Sequence, residues 1–180
     1  MSRFTHRVAT AADIPALVTH MDRAITGPLA AFLTPDQIAA SRRLMGIDSQ
    51  LIADGTFWIV AVDGALAGCG GWSGRITEYG GDHPPGRVPT ALVPGMDAAR
   101  IRAMYTAPEF VRQGVGRVIL DLCESAARQA GFDRAELVAT LGGEPLYRSA
   151  GYREIERFED DRGGAPVPLV RMGKRLAANP

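Results

Sequence analysis

Lysine is nearly missing from this 180-residue chain. Lys174 is the only one, so almost every positive charge is an arginine, and a single arginine is a weak functional clue. Cysteine is scarce too, with only Cys69 and Cys123, each inside an apolar, patterned segment. Buried free thiols are expected there, and two cysteines with three scattered histidines make no zinc spacing, so no structural metal is expected. Net charge is absent: twenty basic and twenty acidic residues cancel, with a pI near 6.8. That balance argues against nucleic acid as the main partner. No uninterrupted apolar run approaches membrane-spanning length, and Met1 to Val8 has no apolar core behind its positive charges. These absences lead to the expectation of a cytoplasmic protein with no membrane partner.

What remains is an ordinary globular composition, 46% hydrophobic and 22% charged. The length is enough for one domain with a substantial core and short for two, so residues 1–180 are read as a single domain. The stretch Ile101 to Ala130 organises it. An apolar strand (Ile101, Ala103, Met104, Tyr105) leads to Val111-Arg112-Gln113-Gly114-Val115-Gly116, and then Val115, Val118, Ile119, Leu122, Cys123 and Ala126 recur at helical spacing. Gly131 follows where a helix end favours positive φ. N–H groups in a first helical turn lack carbonyl partners and the aligned peptide dipoles add positive charge, so such a turn favours an anion. Gly114 and Gly116 leave the backbone open to a phosphate, and Arg112 and Arg117 flank it. The bland alternative, a Gly-rich connection that only lets strand and helix pack, stays open on these residues alone.

Elsewhere, Arg3 to Ala9 reads as a strand, and Thr10 or Asp13 caps a helix carrying Ile14, Leu17, Val18, Met21 and Ile25. Thr34-Pro35-Asp36-Gln37 starts a second helix, read as running through Ile38, Met45 and Ile52 to a stop before Gly55. Phe57 to Val62 and Ala65 to Trp72 form a hairpin through Asp63-Gly64, a type I′ turn signal. Gly68, Gly70 and Gly71 in its second strand mark either a bulge or a cavity wall. An irregular Gly/Pro-rich insertion spans about 73–97 and gathers Arg75, Glu78, Tyr79, Asp82, His83 and Asp97. A strand Ala135 to Leu141, a short helix around Tyr147 and a last hairpin complete the chain. The order β-α-α-β-β-β-α-β-α-β-β predicts an α/β fold of α+β type: a central mixed, mostly antiparallel sheet with helices on both faces. The last hairpin offers an edge for a homodimer.

That order, with Arg112-Gln113-Gly114-Val115-Gly116-Arg117 and the later Pro145-Leu146-Tyr147-Arg148-Ser149-Ala150-Gly151-Tyr152, resembles the GNAT acyltransferase superfamily over almost the entire chain. Pro108 and both glycines match its [R/Q]-x-x-G-x-[G/A] pattern, whereas Val111 stands where Arg or Gln is usual and Thr140 where asparagine is usual. The resemblance implies acetyl-CoA as co-substrate, with its pyrophosphate on the N–H groups of Arg112, Gln113, Gly114, Val115, Gly116 and Arg117. It implies a pantetheine arm paired with Met104, Tyr105 and Thr106 like an added strand, and an N–H near Met104 facing the thioester oxygen. It implies Tyr147 as the acid that protonates the departing thiolate, a chemically sound role for a phenol of pKa about 10 against a thiol of about 8.5.

The required base has no acid on the central strand, which carries Arg100 and Arg102; Glu78, Asp97 and His83 of the insertion are the candidates. The charged and aromatic residues of the insertion, with Trp72 and Arg102, are candidates for the acceptor pocket. The leading reading is direct acetyl transfer to an amine of a small molecule or peptide in a ternary complex. The alternative is a non-catalytic acyl-CoA-binding or regulatory module. A P-loop is excluded because no Gly-Lys-Ser/Thr follows the glycines, and a dinucleotide fold because repeated βαβ units are missing.

Overall fold

The computed structural model describes residues 3–82 and 90–176, so His83 lies outside the described residues. Strands β1 (Phe4–Val8), β2 (Phe57–Val62), β3 (Ala65–Ser73), β4 (Ala99–Thr106), β5 (Arg134–Thr140), β6 (Arg153–Asp160) and β7 (Val167–Arg175) form one sheet in the order β1-β2-β3-β4-β5-β7-β6. Every neighbouring pair is antiparallel except β4 with β5. Those two are parallel because helix α4 (Val115–Gln129) carries the chain back between them.

Side chains alternate between the two faces with period two. Val60 and Val62 of β2, Leu137 of β5 and Val170 and Met172 of β7 pack with Ile119, Leu120 and Cys123 of α4 and with Tyr147 of α5 (Glu144–Ser149). Phe57 and Ile59 pack on the opposite face with Leu17 and Met21 of α1 (Ile14–Thr26) and Leu51 of α3 (Ser49–Ala53). Leu169 joins that face with Ala40 and Leu44 of α2 (Pro35–Leu44). The sheet is therefore covered on both sides, as its mixed topology leads one to expect.

Local signals act where they were read. Gln37 N–H donates to Thr34 Oγ1 at 3.3 Å while Thr34 N–H donates to Gln37 Oε1 at 3.0 Å, the reciprocal cap of α2. Asp63 (φ +49°) and Gly64 (φ +85°) make the type I′ turn of the β2–β3 hairpin. One expectation is corrected: the residues from Ile38 to Ile52 form two helices. The chain leaves helical geometry at Met45 and Gly46 (φ +133°) and restarts at Ser49. The apolar spacing runs on across the break because both pieces bury side chains on the same face.

The glycines of β3 answer to close packing. A Cβ at Gly68 would lie 2.6 Å from Val115 Cγ1, and one at Gly70 would lie 2.7 Å from Ile119 Cγ2, so the bare backbone lets α4 lie directly on the sheet. β3 does bulge against β2, where Ala67 is the extra residue; against β4 the extra residue is on β4. Cys69 faces Tyr105 and Gly71 faces Arg102, which leaves Ala103 and Met104 opposite Gly70 alone.

The last hairpin places β6 at a sheet edge. That edge is irregular between Glu154 and Glu156, and Arg148, Glu144, Arg157 and Glu154 form ion pairs beside it. A bulge with charges is how an edge is kept from pairing with another strand.

Candidate active site

The site begins where β4 and β5 part. Their ladder has only two rungs, Ala99 with Ala135 and Arg100 with Glu136. Beyond Arg100, β4 turns through the bulge at Ala103, a non-glycine residue held at φ +51°, while β5 stays with β7 as far as Thr140. The wedge between them holds a cavity of about 120 Å³. Ile101 to Tyr105 form one wall and Val138 and Thr140 the other, with Tyr147 and Gly143 at one end and Met45, Glu78, Tyr79, Gly80 and Leu169 at the other. Met104 and Tyr105 thus meet the cavity, and Thr106 ends the same unpaired edge. The cavity connects the two faces of the sheet, since Tyr147 packs with α4 and Tyr79 and Leu169 with α2.

At the far end of β4 the chain makes a 3-10 turn at Pro108–Phe110 and enters α4 through Arg112 (φ +62°) and Gly114 (φ +88°). The first helical bond runs from Val118 N–H to the Gly114 carbonyl at 3.1 Å. The N–H groups of Val115, Gly116 and Arg117 donate to no carbonyl among the described residues, which is the anion-favouring arrangement of a helix start. Gly116 keeps this turn open: a Cβ there would meet Leu146 Cδ2 at 2.8 Å. The loop is fastened from outside. Arg3 donates to Gln113 Oε1 at 2.8 Å, Gln113 Nε2 to the Glu109 carbonyl at 2.8 Å, and Arg23 to the Glu109 carboxylate at 2.8 and 3.0 Å. Gln113 and Arg117 spend their side chains on protein partners, Arg117 on Asp121 at 2.9 Å, which leaves their backbone N–H groups for a ligand. Val111, at the position of the usual Arg or Gln, is exposed.

Tyr147 stands on α5, which Gly143 N–H starts by donating to the Thr140 carbonyl at 3.0 Å. Its hydroxyl donates to Met104 Sδ at 3.6 Å, and its ring meets Tyr152 edge-on at 6.0 Å. Burial pushes the Tyr147 hydroxyl well above the ordinary phenol range, so it stays protonated and able to donate. Tyr152 is in the core, as read from the sequence.

Glu78 lines the opposite end, its carboxylate 2.8 Å from Arg171 Nη2 and 3.8 Å from Arg100 Nη2. Asp97 is not brought to the cavity; its carboxylate accepts the Val93 N–H at 2.7 Å and closes a turn of the insertion. Arg102 does line it, held by Asp48 at 2.7 Å and by the Gly80 carbonyl at 2.9 Å. Trp72 does not, since its ring packs edge-on against Phe132 at 5.9 Å. Sequence reasoning missed Asp48, buried under β4, and His20, a buried imidazole whose Nε2 lies 3.3 Å from the Tyr105 carbonyl. Neither carries a motif; Asp48 only interrupts an apolar pattern. Cys69 and Cys123 are buried free thiols, and burial pushes both well above the ordinary thiol range, which favours the protonated form. Among the described residues no helix is long and apolar enough to cross a membrane.

This architecture is that of the N-acetyltransferases. A GCN5-related N-acetyltransferase from Rhodopseudomonas palustris superposes with a TM-score of 0.72 at 18% identity, covering 98% of both chains. The PaiA N-acetyltransferase from Thermoplasma acidophilum, solved in complex with coenzyme A, gives 0.62 at 15% identity over 97% of this chain and 99% of its own. The ribosomal-protein-S18-alanine N-acetyltransferase from Escherichia coli gives 0.59 at 17% identity over 98% and 96%. No curated protein matches the chain by sequence. The acetyltransferase (GNAT) domain family matches residues 53–154, more than half of the chain, and the chain belongs to that family.

Proposed function

We propose that the protein transfers the acetyl group of acetyl-CoA to a primary amine by direct attack in a ternary complex. The observation that carries this reading is the wedge itself, an unpaired β4 edge that leads from an amide-rich helix start to a buried tyrosine hydroxyl. The residues present fit the co-substrate. The N–H groups of Val115, Gly116 and Arg117 suit a pyrophosphate. The free edge of Met104, Tyr105 and Thr106 suits the amide-bearing pantetheine arm as an added strand. Coenzyme A bound to the Thermoplasma acidophilum relative supports the assignment.

In the reaction the amine nitrogen bonds to the acetyl carbon and the C–S bond breaks. Of the two protons that the ammonium gives up, one reaches the sulfur through Tyr147 and the other leaves to solvent by way of Glu78. Glu78 rather than Asp97 takes this role because it is the carboxylate that lines the cavity. The non-catalytic alternative drew its support from the lack of an acid on β4, and Glu78 supplies one from a neighbouring segment. The buried free thiols fit a cytoplasmic setting.

The test is Tyr147→Phe, which keeps the ring packing and removes the proton. Turnover is expected to fall about 100-fold or more with the Kd for CoA little changed. Undiminished turnover removes Tyr147 from the mechanism.

A further inference from the structure

The segment Glu78 to Asp82 lies in a stretch without periodicity, yet each of its residues is tied down. Glu78 pairs with Arg171 of β7. The Tyr79 hydroxyl donates to Asp160 Oδ2 of β6 at 3.0 Å. The Gly80 carbonyl accepts from Arg102 of β4 at 2.9 Å. Gly81 N–H donates to the Leu44 carbonyl at 3.0 Å and Asp82 N–H to the Ile47 carbonyl at 2.9 Å, while the Asp82 carboxylate accepts the Ser49 N–H at 3.1 Å. A strap bonded to so many elements has little freedom to swing aside.

Tyr79 is the largest side chain that the strap contributes to the cavity. Its ring lies between the Arg162 guanidinium at 5.2 Å and the Phe158 ring at 6.0 Å, and Asp160, itself buried, holds Arg162 at 2.6 Å. The wall is therefore fixed by packing and by a charge pair, on the face of the sheet opposite Tyr147. The space it borders is about 120 Å³ and opens to solvent, whereas a dry cavity of about 150 Å³ holds one benzene. With an acetyl group inside, the room left beside the Tyr79 ring suits a thin stem. Met45, Val138 and Leu169 give that end apolar walls beside Arg102, whose charge Asp48 pairs, and Glu78 supplies a carboxylate.

We propose that Tyr79, locked by Asp160 and Arg162, is a specificity-determining residue that limits the acceptor to a small, unbranched primary amine with an apolar stem, and excludes an amine borne on a peptide backbone. This rests on the acetyl-transfer reading above. The ammonium would face Glu78 and the stem would lie along Met45, Val138 and Leu169.

The test measures thiol release from acetyl-CoA with propylamine, cyclohexylamine and tetra-alanine amide as acceptors, for the wild type, Tyr79→Ala and Tyr79→Phe. The wild type should favour propylamine in kcat/KM by about 100-fold over the other two. Tyr79→Ala should reduce that preference about tenfold, mainly through KM, with the Kd for CoA unchanged. Tyr79→Phe, which keeps the ring, should retain the order. Equal use of tetra-alanine amide by the wild type, or an unaltered preference in Tyr79→Ala, overturns the proposal. No thiol release with any amine overturns acetyl transfer instead. In that event, calorimetry of the same amines with the CoA-saturated protein still decides the size limit: heat from propylamine alone supports it, and equal heats refute it.

Discussion

Gly116 and Leu146 meet across the helix start, and their contact has a direct consequence for binding. A methyl at residue 116 would lie 2.8 Å from the end of the flexible Leu146 side chain, which can yield, but it would also stand over the open amides proposed to hold the pyrophosphate. Gly116→Ala is expected to weaken CoA binding about tenfold, roughly 1.4 kcal/mol, with little change in stability. Titration calorimetry beside thermal unfolding checks both halves. His20 gives a pH dependence. Burial lowers its pKa, the Arg23 charge adds in the same direction, and the Tyr105 carbonyl and the Glu109 charge oppose them. The neutral ring is thus favoured in the folded state, and the unfolded chain takes up the proton first, at about pH 6.5. The contribution of His20 is complete above that pH and is lost as pH falls toward the lower folded value. Urea midpoints between neutral and mildly acidic pH should fall more steeply for the wild type than for His20→Gln; parallel curves would rule His20 out.

At the scale of elements, the turn between α2 and α3 exists to bring Asp48 to Arg102, both almost fully buried. Asp48→Ala removes a carboxylate that pairs a buried guanidinium and is expected to cost about 3–5 kcal/mol in equilibrium urea unfolding. A loss below about 1 kcal/mol would mean that the pair does not hold the turn against β4. This pair also explains what could be read in the sequence and what could not. The Thr34 cap, the Asp63-Gly64 turn and the stripe of α4 are set by residues a few positions apart, and their chemistry is written locally. The break before Ser49 is set by a partner on β4 far along the chain, and the apolar spacing continues across it. Likewise, the paired motifs name Tyr147 and Gly116 locally, and Tyr79 stands out only as an aromatic of the insertion; that Asp160 and Arg162 lock its ring depends on a distant hairpin.

For the whole molecule, the short β4–β5 ladder is the organising fact. A sheet continuous across those strands would separate its two helical layers. Parting them after Arg100 opens a cavity that reaches Tyr147 toward α4 and α5 and Glu78 and Tyr79 toward α2. In the proposed reaction, donor and acceptor would approach from opposite faces and meet beside Met104. Glu78, Tyr79 and Gly80, which lie between β3 and β4 in the chain, are held against β7, β6 and β4 by an ion pair and hydrogen bonds. The most direct test of this account is amine-dependent release of CoA thiol from acetyl-CoA by the purified wild-type protein, followed across a panel of small primary amines. The account predicts saturable thiol release with at least one such amine and none without it. Tight CoA binding with no amine-dependent thiol release anywhere in the panel would contradict it.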